Sequence, residues 1–151
     1  MNKELFKRIL TTQIPIAWIA GVRLETWETN KVSTRVKLGF FNKNPFKSMF
    51  WAVQGMAAEF SSGLMANAKI AQSGEDISML VLGMQSTYLK KAVGKIIFTC
   101  EDGEKIDAAI KEAIETKKGI SLNVTSIGID ETGDIVSEFQ FVWTFKLREK
   151  K

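Results

Sequence analysis

Apolar and polar positions alternate most regularly toward the end of the chain. Between Ile135 and Leu147, Phe139, Phe141, Trp143, Phe145 and Leu147 share one parity, while Glu138, Gln140, Val142, Thr144 and Lys146 take the other. A period of two is that of a strand buried on one side. So large an aromatic row needs a large element to pack against. The same alternation runs from Lys31: Val32, Thr34, Val36, Leu38 and Phe40 face one way and Lys31, Ser33, Arg35 and Lys37 the other. Val22 to Glu28 reads as a less regular strand before it, with Thr29-Asn30 as the hairpin turn. Ile77 to Leu89, Val93 to Cys100 and Ile120 to Ile129 are further strands. The last of these joins the aromatic strand across Asp130-Glu131-Thr132-Gly133-Asp134.

Three segments carry helical spacing instead. Lys3 to Leu10 places Leu5, Phe6, Ile9 and Leu10 on one side, and Pro15 discourages continuation. The segment after Glu101-Asp102-Gly103 puts Ile106, Ala109, Ile110, Ala113 and Ile114 on an apolar face, with Gly119 placed to cap its end. From Ser48 to about Gln72 the chain is rich in Ala and Met and apolar nearly all round, the mark of a buried helix. Within it Ala52, Gly55, Glu59, Ser62, Gly63 and Ala66 recur at helical steps. That stripe of small residues permits close approach of another backbone or of a ligand, which makes Gly55 and Ser62 candidate ligand contacts. The expected order is helix, two strands, long helix, two strands, short helix, two strands. It predicts an α+β fold with an antiparallel sheet of about six strands and helices on one face.

Composition narrows the chemistry. At 151 residues, with 45% hydrophobic and 25% charged residues, the chain fits one globular domain over 1–151. It contains no histidine, which excludes Ser-His and Cys-His nucleophiles and His-ligated metals; no metal site and no cofactor fingerprint are visible. Acid–base work must then fall to carboxylates, Lys, Tyr or Cys. The one cysteine, Cys100, lies in an apolar strand and reads as core. The absence of a disulfide framework and of a signal-like apolar run fits a cytoplasmic protein. The apolar stretch from Met49 to Ala71 is interrupted by Gln54, Glu59, Asn67 and Lys69, which argues against a membrane span. The net charge of +4 is scattered. Without a basic stripe or recognised motif, a sequence pI of 9.2 does not make a nucleic-acid binder.

Glu59 is the residue of most interest. A lone carboxylate on an apolar helix is costly to bury. It is either satisfied structurally, by Asn67, Lys69 or a strand residue, or held with a raised pKa for catalysis. Asn44 precedes Pro45, a common turn start.

Tyr88-Leu89-Lys90-Lys91-Ala92-Val93-Gly94 resembles a turn of hotdog-fold thioesterases, Tyr-Leu-basic-Pro-Ala-x-x-Gly, with Lys91 in place of the Pro and the Gly arriving slightly early. Residues Asn44 to Gly63 are similar to the loop and central helix of the same superfamily. The overall layout most resembles a bacterial branch of unassigned function. The resemblance implies a sheet wrapped around the long helix, an acyl-CoA-like thioester substrate, and a homodimer or homotetramer with sites at the subunit boundary. In one subfamily an Asn stands fifteen residues before a helix carboxylate, the spacing of Asn44 and Glu59. That match implies Glu59 as general base or nucleophile, Asn44 holding water or substrate, and the helix amides near Phe50 and Trp51 as an oxyanion hole. Lys90 and Lys91 are then candidate contacts for CoA phosphates. Many such enzymes carry His-Gly-Gly nine residues before the acid, where this chain has Phe50-Trp51-Ala52. Trp51 either fills the thioester channel or walls an acyl pocket. The alternative function is a non-catalytic acyl- or lipid-binding hotdog protein.

Overall fold

The computed structural model describes residues 1–149. The chain opens with α1, Lys3–Gln13, whose first turn is capped by Asn2 accepting from the Leu5 N–H at 2.8 Å. It runs a turn beyond the expected end at Leu10. Pro15 stops it but also starts α2, Pro15–Ile19, since a proline costs nothing where the first helical N–H is unpaired anyway. Then come β1 (Arg23–Trp27), β2 (Val32–Lys37), α3 (Trp51–Ser73), β3 (Ile77–Tyr88), β4 (Lys95–Cys100), α4 (Gly103–Thr116), β5 (Ile120–Ile129) and β6 (Ile135–Leu147). The strands form one antiparallel sheet in the order β1-β2-β4-β5-β6-β3. Although β3 and β4 are consecutive in the chain, they lie apart in the sheet, and β3 is an edge strand paired only with β6.

The inner face of the sheet wraps α3. Its aromatic row, Phe139, Phe141, Trp143 and Phe145, is buried as the alternation requires. The helix approaches closely because its sheet-facing residues are small. Thr34 donates to the Ala57 carbonyl at 2.6 Å, and the Ser61 and Ser126 hydroxyls meet at 2.8 Å. These bonds satisfy polar groups that would otherwise be orphaned in the core.

Several expected boundaries shift for tertiary reasons. Expected to run to Phe40, β2 ends at Lys37, because the buried Asn42 side chain accepts from the Gly39 N–H and turns Phe40–Asn42 into a 3-10 turn. Phe40 is therefore exposed and does not join the buried parity. The long helix begins at Trp51 and not Ser48. Its approach is held extended, with the Met49 N–H donating to Ala92 and the Phe50 N–H to Asn42, each at 2.8 Å. Similarly, β4 starts at Lys95, after Gly94 bends the chain with φ of 74°. The cap of α4 is Lys117 in the left-handed region at φ 57°, two residues before the expected Gly119. Cys100 is core, and burial pushes its thiol up to about 11.

Candidate functional site

Of the clefts that border α3, one at its start and one at its middle hold the expected site residues. The first, about 390 Å³, is lined by Asn44, Ser48, Met49, Trp51, Gln54 and the Tyr88–Ala92 segment. It forms where the loop before α3 meets the turn after β3. Asn44 organises that loop. Its Oδ1 accepts from the Phe46 N–H at 2.9 Å and the Ser48 N–H at 3.2 Å, and its Nδ2 donates to Ser48 Oγ at 3.0 Å. This is the turn-forming role that an Asn before Pro45 suggests. Gln54, nearly fully buried, spans from the Met49 carbonyl to Ser137 on β6 and supports the cleft floor. Sequence reasoning missed it as a site residue, although its polarity in an apolar stretch was the available signal. Tyr88 and Ser48 were likewise missed.

The start of α3 presents open amides. Phe50 is the N-cap and supplies no side-chain cap. The Val53 and Gln54 N–H groups donate to the Phe50 carbonyl, while those of Trp51 and Ala52 have no acceptor among the described residues. Unpaired amides at a helix start favour negative charge. The Phe50 and Trp51 rings beside this helix start lie edge to face, ring centres 5.6 Å apart.

The second cleft, about 310 Å³, lies between α1 and α3 and is lined by Met1, Ile9, Gln13, Ile14, Phe60, Gly63, Leu64, Asn67, Ala68 and Glu59. The Glu59 carboxylate accepts no hydrogen bond and forms no ion pair among the described residues. Lys69, one of the partners expected beside Asn67 or a strand residue, is committed elsewhere, to Asp107 and to Asn30. Burial without a partner disfavours the carboxylate form and pushes the Glu59 pKa up to about 7. The space it occupies is supplied by Gly63, where an added Cβ would lie 2.7 Å from Glu59 Oε1 and 3.1 Å from the Trp143 ring. Gly63→Ala is accordingly expected not to give the usual gain of about 1 kcal/mol for removing a helical glycine. It should instead displace Glu59. A thermal melt paired with an activity assay reads both effects.

The other expected contacts divide. Trp51 and Lys91 line the first cleft, and Lys91 makes no ion pair among the described residues. Lys90 also lines it, but its ammonium bridges Asp130 and Asp134, each at 2.6 Å, across the β5–β6 turn. Those hydrogen bonds raise the Lys90 pKa and lower that of Asp130. Gly55 and Ser62 line neither cleft. Gly55 backs onto Phe139, and Ser62 accepts from Trp143 Nε1 at 3.1 Å, so both serve the helix–sheet contact. Asn44 and Glu59 are not brought together within one chain. They line separate clefts.

Known proteins share this architecture. A Pseudomonas aeruginosa protein of unknown function described as "Probable Thioesterase" superposes with a TM-score of 0.82 at 22% identity, covering 98% of this chain and 97% of that one. A Chlorobaculum tepidum protein of unknown function gives 0.81 at 15% identity, covering 97% and 94%. A Haemophilus influenzae thioesterase gives 0.72 at 8% identity, covering 97% and 92%. No curated protein matches the sequence. Fold and architecture thus define a hotdog fold shared with these proteins. Residues 2–145 match the family described as "Domain of unknown function (DUF4442)", and the chain belongs to it.

Proposed function

We propose that the chain hydrolyses an acyl-CoA-like thioester, with Glu59 as the general base. The observation that carries this reading is a partnerless carboxylate in an apolar cleft with a pKa near 7, the value that suits a base at neutral pH. Glu59 takes a proton from water as the water oxygen adds to the thioester carbonyl. The resulting oxyanion is met by the free Trp51 and Ala52 amides. When the carbon–sulfur bond breaks, the proton held on Glu59 passes to the departing thiolate. Direct attack by the carboxylate on the carbonyl is the variant of this scheme, with water then resolving an anhydride. Asn44 shapes the loop that walls the first cleft, and Lys91 is the lysine available for CoA phosphates.

Eight residues separate Trp51 from Glu59, about 12 Å along a helix axis. One carbonyl cannot reach both within one chain. We therefore assign the working site to a homodimer, with the base from one subunit and the helix start from its partner. A cytoplasmic location fits this substrate; among the described residues no helix is long and apolar enough to cross a membrane.

The test is the pH dependence of thiol release from acyl-CoAs. Because the base must be deprotonated, kcat/KM should rise with pH, reach half its maximum near pH 7 and level off above it. A rate independent of pH between 5 and 8 would remove Glu59 from that role. Phe50 and Trp51 beside the helix start favour the second reading, acyl binding without turnover. It predicts saturable acyl-CoA binding with no thiol released at any pH.

A further inference from the structure

A separate face carries an exposed apolar patch that neither cleft uses. Phe40, Phe41 and Phe46 are 76%, 77% and 72% exposed, and Ile16 and Ile19 on α2 are more than half exposed. A single buried residue ties the Phe40–Phe41 turn to α2 and β2. Asn42 Nδ2 donates to the Ala20 carbonyl at the end of α2 and to the Lys37 carbonyl at the end of β2, both at 2.9 Å, while its Oδ1 accepts from Gly39. The patch is thus fixed by the fold. The Phe40 and Phe41 rings lie edge to face at 5.5 Å, and Lys43 Nζ stands 4.8 Å from the Phe40 ring.

The charge along the segments that carry it is one-sided. Residues 5–24 and 29–58 contain eight Lys and Arg and no Asp or Glu. Arg35 and Lys31 are paired to Glu25 and Glu101, but Lys37, Lys43 and Lys47 are exposed and make no ion pair among the described residues. This sign decides among occupants. Two copies meeting on the patch about a two-fold axis would set lysines against lysines. Phenyl and branched aliphatic side chains ringed by lysines suit a surface that is apolar at depth and anionic at its face.

We propose that the Phe40–Phe41–Phe46 patch, with Ile16, Ile19 and the flanking lysines, docks the protein peripherally on an anionic lipid bilayer. This is independent of the thioesterase reading. The experiment is co-sedimentation of the full chain with phosphatidylcholine vesicles, with and without phosphatidylglycerol, beside Phe40→Ser/Phe41→Ser and Lys37→Glu/Lys43→Glu. Both pairs are exposed, and circular dichroism checks that each variant folds. The expected result is salt-sensitive retention on the anionic vesicles only, weakened about tenfold or more in each variant. Three outcomes would overturn the proposal: no retention by anionic vesicles, retention unchanged in both variants, or variants that lose the wild-type oligomeric state, which would make the patch a subunit contact. Retention on poly-glutamate without retention on vesicles would also overturn it, assigning the patch to an acidic polypeptide.

Discussion

Glu59→Gln is expected to stabilise the protein at pH 8 by about 3 kcal/mol while removing the proposed hydrolytic activity. In the unfolded chain a glutamate titrates at 4.5, whereas burial moves Glu59 to about 7 in the folded protein. Between those values the folded state holds a proton that the unfolded state has released. Raising the pH through this window therefore favours unfolding, and above 7 the full penalty of a buried, unpaired carboxylate is present. The difference between the two pKa values corresponds to about 3 kcal/mol. Glutamine is neutral throughout, so the variant escapes the penalty. Below about pH 4.5 the two proteins should have equal stability. At pH 8 the variant should melt higher by roughly 6 to 12 °C, taking about 2 to 4 °C per kcal/mol for a chain of this size. Thermal melts from pH 4 to 8 read the effect directly. Equal melting at pH 8 would mean that the ionised carboxylate has found a partner. Stability and activity moving in opposite directions is what a functional group held at a cost to the fold produces.

The second large effect concerns β3. Its twelve residues, Ile77 to Tyr88, contain no charge and no proline. One edge pairs with β6 along its length, and the other edge is open. Leu80, Leu82 and Met84 are 61%, 57% and 45% exposed, and the strand bulges between Val81 and Gly83. A long apolar edge without lysine or proline is the form that invites another strand. The expected occupant is β3 of a second copy, antiparallel about a two-fold axis, which would make one continuous sheet. If the proposed shared site holds, Leu82→Lys/Met84→Lys should convert a dimer to a monomer and lower turnover at least about a hundredfold, because base and oxyanion amides would then sit on separated subunits. Light scattering and the thiol assay together check this. A wild-type monomer with full activity would contradict the shared site.

Legibility from sequence followed how local each determinant is. The alternation in β6 and the apolar length of α3 predicted both elements and their mutual packing, because burial on one side writes itself into every second or every third and fourth residue. The irregularity of Val22 to Glu28 matched a real break in register between Leu24 and Thr26. The failures trace to partners distant in sequence. Nothing near Ser48 announces that Ala92 and Asn42 hold residues 49 and 50 extended. Lys90 looked free because Asp130 and Asp134 reach it only through the β5–β6 turn. Glu59 stood out at once as a charge on an apolar helix. That it lacks a partner became visible only when Lys69 proved to be turned toward Asp107 and Asn30.

The most direct measurement is thiol release from a panel of acyl-CoAs by the wild-type chain and by Glu59→Gln under identical conditions. The expected result is turnover of at least one chain length by the wild type, falling at least about a hundredfold in a variant that is folded and more stable. Wild-type turnover that survives unchanged in Glu59→Gln would contradict the assignment of Glu59 as the base.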